Sequence, residues 1–276
     1  MPKPISHYRK QLKERGIKDI IAVRWRFYVD RWRWYVLEFK RDNWLAGKLV
    51  ELGGNTVSLQ GIQLSVNNPL VTTRDKGTIF FGIYEMHERE LTQRYIDRTL
   101  STIEIGASIG GVACTTNKLL LDPSRHVVCE CNPIVLPTLE ENRKRNNCQF
   151  IIEPQALAYG SDTVTFGIDN ENFMGGNLQR TDGERVTVGA TTLRQLLQKH
   201  CFSAINLICD SEGAEVDMVE HEADVIRDHV KVLIIETHEQ RRGADRTAKM
   251  LATLASIGFD IKDKSEETLA MVNSHI

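Results

Sequence analysis

The chain has 276 residues, with 35 Lys+Arg against 37 Asp+Glu, 41% apolar residues and 26% charged residues. Such a composition specifies a folded core and excludes disordered, collagen-like and disulfide-scaffold chains. The net charge of −2 conceals a basic start: residues 1–44 carry a balance of +7, leaving −9 on the other 232. No apolar run of about 18 residues is present, so no membrane-spanning helix is expected. The segment MPKPISHYRKQLKERG lacks the apolar centre of a secretory signal, which points to the cytoplasm. Cys114, Cys129, Cys131, Cys148, Cys201 and Cys209 form no C-x-x-C pair and have no histidines at zinc spacing. Cys129 and Cys131 are expected on one face of a strand, as buried thiols in a reducing compartment.

Residues 5–50 are helical in pattern. Trp25, Val29, Trp32, Val36 and Phe39 recur at spacings of 4, 3, 4 and 3 and line one helical face, with Arg24, Arg31 and Lys40 elsewhere. The simpler reading is a helix packed on the main domain. The alternative is an interfacial helix giving peripheral contact with a membrane. In TVSLQGIQLSV (56–66), Val57 and Leu59, then Ile62, Leu64 and Val66, alternate around Gln60-Gly61, a hairpin signature. A short strand is predicted at TIFFGI (78–83) and a helix over about 85–99.

From residue 101 the pattern becomes strand–helix alternation. The apolar runs 101–105, 125–130, 150–153, 205–210 and 230–236 read as buried parallel strands. Helices are predicted near 111–121, 134–146, 190–200, 214–228 and 244–257. The end, 258–273, reads as an antiparallel pair of strands. Together these specify an α/β, three-layer, mostly parallel sheet closed by an antiparallel pair. An N-terminal helical and hairpin appendage (1–75) is expected to precede the main domain (76–276). The stretch 154–189 interrupts the rhythm with strand-like 163–168 and 185–188 around FMGGN (173–177), and insertions of this kind usually shape a substrate site.

The first strand of the alternation runs into IEIGASIGG (103–111). Gly106 permits a tight turn, and Gly110 permits close backbone approach at a helix N-terminus. The spacing G-x-x-x-G-G departs from the dinucleotide fingerprint G-x-G-x-x-G, with Ser108 at the middle position, so an NAD(P)-dependent enzyme is disfavoured. Glu104 places a carboxylate by the loop, which suits a ligand carrying an ammonium group, such as S-adenosylmethionine, better than a phosphate. Glu130 ends the next strand, 20 residues after Gly110, where a carboxylate can accept hydrogen bonds from a ribose diol. Asp210 and Glu212 sit at the carboxyl end of the strand 205–210, and Glu236 and His238 at that of 230–236, all on the edge where open α/β sheets bind ligands. His238 is the candidate general base, oriented by Glu236 or Glu212. The alternative, a divalent cation held by Asp210 and Glu212, ranks second because scattered acids alone are a weak signal.

IEIGASIGG, then VVCECNPIVLPTLEENRKRN, the D-x-E-G-A-E stretch Asp210–Glu215, IIETH, and the upstream GIYEMHEREL (82–91) together resemble the FkbM family of S-adenosylmethionine-dependent methyltransferases. The resemblance spans about residues 56–273, and Ser211 stands where the family often has an apolar residue. It implies a Rossmann-like methyltransferase fold and O-methylation of a small-molecule or glycan acceptor. It also implies that Glu104, Gly106, Ala107, Ser108 and Gly110 line the methionine end of the cofactor together with Asp210, that Glu130 holds the ribose, and that Ala156 or Leu157 flanks the adenine. A non-catalytic binding module retaining the fold is one alternative. A nucleic-acid methyltransferase is another, disfavoured because the acidic main domain gives no basic groove signal.

Overall fold

The computed structural model describes residues 43–167 and 185–276. The Trp25–Phe39 stripe and the FMGGN segment lie outside the described residues. The chain enters through helix α1 (Trp44–Leu52) and the hairpin β1 (Thr56–Leu59) and β2 (Ile62–Ser65). The hairpin forms as its alternation predicts. Val57, Leu59, Ile62, Leu64 and Val66 are all buried, and Gln60 and Gly61 both take positive φ at the turn.

The strand predicted at 78–83 is instead a helix, α2 (Thr73–Phe80). Its start is a capping box: Asp75 N–H donates to the Thr72 hydroxyl at 3.2 Å, and Thr72 N–H donates to the Asp75 carboxylate at 2.9 Å. A four-residue apolar run does not discriminate strand from buried helix, and here the cap and packing against α1 decide. Helix α3 (Met86–Tyr95) follows, shorter than predicted because Ile96 turns to extended backbone.

The alternation then forms as read: β3 (Ser101–Ile105), α4 (Gly111–Leu119), β4 (His126–Cys129), α5 (Leu136–Arg145) and β5 (Ile151–Glu153). The insertion contributes β6 (Gln155–Leu157), β7 (Thr163–Gly167) and β8 (Arg185–Thr191), which form a small separate sheet in the order β6–β8–β7. After it come α6 (Leu193–His200), β9 (Ile205–Cys209), α7 (Ala214–His229), β10 (Val230–Glu236), the short α8 (Glu239–Arg242), α9 (Ala244–Ser256), β11 (Phe259–Ser265) and β12 (Thr268–Asn273). The main sheet has the order β11–β12–β10–β9–β3–β4–β5; β12 runs antiparallel to both neighbours and the remaining pairs are parallel.

Side-chain alternation builds the three layers. Ile103, Ile105, Leu207 and Ile235 pack under Leu196 of α6, Met218 of α7 and Leu254 of α9. On the other face Ile208 and Ile234 meet Leu91 of α3 and Val112 of α4, and Val128 meets Leu139 of α5. Among the described residues, no helix is long and apolar enough to cross a membrane.

The hairpin shares its core with the main domain, since Leu64 and Val66 lie in one cluster with Ile109, Val128 and Leu139. Residues 43–75 are thus no separate packing unit, and the boundary expected at 75/76 runs through a continuous core. Asn142 fixes the join: its Oδ1 accepts Ser65 N–H at 2.6 Å, and its Nδ2 donates to Ser65 O at 3.0 Å and Ile109 O at 2.8 Å. Buried Arg89 fixes the other end by donating to Gln60 Oε1, Gly82 O and Tyr84 O. Removing a buried amide that serves three backbone groups leaves them desolvated without partners. Asn142→Ala is expected to lower the unfolding free energy by about 2–4 kcal/mol in urea denaturation.

Candidate active site

The parallel register brings the carboxyl ends of β3, β4, β9 and β10 to one edge, where a cavity of about 350 Å³ opens. At its floor the chain leaves β3 through Gly106, whose φ is +87°. A Cβ there would stand 1.6 Å from Asp210 O, so only glycine permits this approach of the β3 loop to the β9 end. Gly110, also at positive φ, is the N-cap of α4, and a Cβ on it would crowd Leu139.

Glu130, the first residue past β4, binds both neighbouring loops. Its Oε2 accepts Ser108 N–H at 2.7 Å and its Oε1 accepts Asn132 N–H at 2.8 Å. Burial raises its pKa, opposed by the N–H donors of Asn132, Ser108 and Cys131. Beside it Val135, Ala156, Leu157 and Phe166 form an apolar wall. Leu157 and Ala156 come from β6 and Phe166 from β7, so the insertion builds this end. β4 stops at Cys129, which places Cys131 in the following turn and on the cavity wall instead of on one strand face with Cys129. All six cysteines are free thiols.

At the opposite end, acids converge. His238, an α8 N-cap with φ +37°, has its Nε2 at 3.4 Å from Asp210 Oδ1, 3.4 Å from Glu212 Oε2 and 3.7 Å from Glu236 Oε2. Its Nδ1 lies 3.4 Å from Oε1 of the fully buried Glu215. Desolvation opposes charge on the ring, but the Glu215, Glu236 and Glu212 carboxylates outweigh it and raise the pKa to about 9. His238 is therefore an imidazolium near neutral pH, which corrects its expected role as the ready base. Burial pushes Asp210 well up, reinforced by Glu236, Glu212 and Glu215, and pushes Glu212 to about 7 against the pull of His238 and Arg241. Arg241 pairs with Glu212 at 2.6 Å. The next residue, Arg242, anchors α8 by donating to Gly213 O and pairing with Asp217.

The sequence-predicted residues Gly106, Ser108, Glu130, Ala156, Asp210, Glu212, Glu236 and His238 are thus brought to one cavity. Glu104 is not. It is the penultimate residue of β3 and points into the layer between sheet and helices, where both its oxygens are buried without a hydrogen bond. Its neighbour there is fully buried His126, at 3.5 Å. Burial alone raises Glu104 well above the usual carboxylate range and lowers His126 to about 3. Ala107 is buried in the core cluster under the hairpin. The carboxylate at the loop mouth is instead Glu85, whose Oε2 accepts Val112 N–H at 3.1 Å at the start of α4. Burial raises it to about 8, with help from Glu88 and Glu104 and against the Tyr84 hydrogen bond. The Tyr-Glu pair preceding α3 was the available signal for Glu85, and the final acid of DSEGAE was that for Glu215.

The sequence profile of the FkbM methyltransferase domain matches residues 104–261, more than half of the chain. The chain belongs to the FkbM methyltransferase family. It is a methyltransferase whose cofactor is S-adenosylmethionine. No curated protein sequence matches it significantly. Among solved structures, ribosomal protein L11 methylase from Lactobacillus delbrueckii subsp. bulgaricus is similar at 14% identity and a TM-score of 0.41, over 70% of this chain and 80% of that one. Precorrin-6y C5,15-methyltransferase from Geobacter metallireducens gives 14% and 0.40 over 68% and 86%. Aeropyrum pernix fibrillarin, solved with natively bound S-adenosyl-L-methionine, gives 12% and 0.36 over 64% and 66%. The residues of this FkbM-family site fit the cofactor on their own terms. Asp210 Oδ1, a buried acceptor without a hydrogen bond, lies on the same cavity as Glu130 and its apolar wall.

Glu104 yields a test of the geometry. A carboxyl whose folded pKa is raised favours folding below its unfolded pKa near 4.5 and opposes it as pH rises. His126 acts in the reverse direction: its lowered pKa costs stability as pH falls from about 6.5 towards 3. Glu104→Leu is expected to raise stability by about 1–3 kcal/mol at pH 7.5, with the gain fading towards pH 4.5. Affinity for S-adenosylhomocysteine should stay within about threefold of wild type in calorimetry, because the side chain lies outside the cavity.

Proposed function

We propose that this methyltransferase acts on a hydroxyl oxygen of a sugar or sugar-bearing molecule. The observation that carries the reading is the acid-lined end of the cavity. Asp210, Glu212 and Glu236 offer clustered hydrogen-bond acceptors, the complement of a polyol's hydroxyl donors. The net charge of −9 on residues 45–276 offers no basic surface for a phosphate backbone, which weighs against a nucleic-acid acceptor.

In this reading Glu130 receives the ribose hydroxyls through the lone pairs that Ser108 and Asn132 leave free, and Val135, Ala156, Leu157 and Phe166 enclose the adenine. The backbone at Gly106 and Ser108, with Asp210 and Glu85, surrounds the methionine end. Bound S-adenosylmethionine supplies a methyl carbon already activated by a sulfonium. The protein's share is positioning and removal of one proton. Both nitrogens of His238 face carboxylates at 3.4–3.7 Å, so the charged ring offsets their mutual repulsion. The proton acceptor is Glu212, which lines the cavity and is held by Arg241.

The roles separate experimentally. Glu212→Gln is expected to lower kcat by about 100-fold or more with little change in S-adenosylhomocysteine affinity. Glu130→Ala is expected to raise the dissociation constant for that ligand at least about tenfold. A radiolabelled methyl donor should mark oligosaccharides or sugar nucleotides as alkali-stable ethers. Label appearing only on RNA, amines or carboxyl groups would replace the proposed acceptor class.

A further inference from the structure

We propose that Asp210, Glu236 and His238 form a binding site for one divalent transition-series cation, with Glu215 as the carboxylate that orients the imidazole. The three ligand atoms come from the loop after β9, the last residue of β10 and the α8 N-cap, and all lie within 4.8 Å of one another. His238 Nε2 is 3.4 Å from Asp210 Oδ1 and 3.7 Å from Glu236 Oε2. These separations are too long for hydrogen bonds, whose N–H···O distances end near about 3.2 Å. They are close to the edges of a coordination polyhedron, because donors about 2.0–2.2 Å from one ion stand about 3–3.6 Å apart.

Two further observations point to a ligand rather than to a chance gathering of acids. The His238 side chain is nine-tenths buried, and its Nε2 faces the cluster without a hydrogen-bond partner of normal length. Asp210 Oδ1 is buried with no hydrogen bond at all. Behind the ring, Glu215 is fully buried, and its Oε1 accepts the Ser211 amide and, at 3.0 Å, the Ser211 hydroxyl. That oxygen lies 3.4 Å from Nδ1. The negative charge behind Nδ1 favours the proton on that nitrogen and leaves Nε2 facing the cluster as the donor to a metal. Two carboxylates and one imidazole suit manganese, iron or zinc better than calcium, which prefers all-oxygen sites. Arg241 already holds Glu212 Oε2 at 2.6 Å, so Glu212 stays outside the ligand set. Cation binding displaces the Nε2 proton to solvent. The use of the ion rests on the reaction proposed above: it would polarise the acceptor hydroxyl at this end of the cavity.

The test uses the full-length protein stripped with EDTA and Mn2+ as the probe, followed by electron paramagnetic resonance and calorimetry without any methyl donor. One Mn2+ per chain is expected, displaced by Zn2+, with Glu236→Gln and His238→Gln each weakening it at least about tenfold. Glu215→Gln should weaken it about 10–100-fold through the ring alone, and circular dichroism checks that each variant is folded. A folded wild-type protein that binds neither Mn2+ nor Zn2+ at millimolar concentration overturns the site. So does binding unchanged in both Glu236→Gln and His238→Gln. Parallel titration with S-adenosylhomocysteine separates the two readings. Nucleoside binding without cation binding removes only the metal site, whereas cation binding without nucleoside binding removes the cofactor assignment. Loss of nucleoside affinity in Glu236→Gln, with no cation bound by wild type, would assign the acids to the cofactor's ammonium and end the proposal.

Discussion

The main sheet is covered on both faces, so a carboxylate within a strand has no access to water and only the strand ends can carry charge at tolerable cost. The acids of this protein sort along that line. Glu130 and Asp210 are the first residues past β4 and β9, and Glu236 is the last of β10. Each reaches the cavity, where N–H groups, His238 or Arg241 stand near it. Glu104 lies one residue inside β3 and ends beside His126, with neither oxygen satisfied. A single residue of register thus separates a ligand-facing carboxylate from one whose pKa burial drives upward. The parallel pairing multiplies the effect by setting all four strand ends along one edge.

That rule also marks what could be read in the sequence. The five parallel strands, the 56–66 hairpin and the terminal pair were legible because each has its own periodicity and turn residues. Helix α2 was not, because TIFF fits either element and the deciding contacts are distant. Gly77 of α2 sits so close to Asn43 O that a Cβ would stand 2.1 Å from it. Glu130, Asp210 and Glu236 were legible from their positions at strand ends. Glu104 looked equivalent because spacing locates a strand end only to within a residue or two. The direction of its side chain is a property of the pleat.

The charge of His238 was beyond any reading of local sequence. An isolated histidine titrates near 6.5 and is a natural candidate base. Its state here depends on Asp210, Glu212, Glu215 and Glu236, which β9, α7 and β10 deliver from different parts of the chain. The conversion from base to charged spacer is a tertiary effect. It moves the search for the proton acceptor to the carboxylates themselves.

The two ends of the cavity follow different physics, and the fold keeps them rigid by different means. The apolar end is built by β6 and β7 of the insertion and needs only contact to enclose a flat ring. The acidic end cannot rely on packing, because like charges at 3–4 Å repel strongly in a dry site. It is held instead by directional contacts. Ser211 grips Glu215, Arg241 grips Glu212, and Arg242 pins α8 to Gly213 and Asp217. Glu130 stands between the ends and ties the Ser108 loop to the Asn132 loop. A ligand spanning the cavity would therefore meet preset polar groups at one end and an apolar slot at the other, with the glycine turn at Gly106 fixing the distance between them. Such preorganisation is what a transfer reaction requires of its protein when the donor already carries the activation.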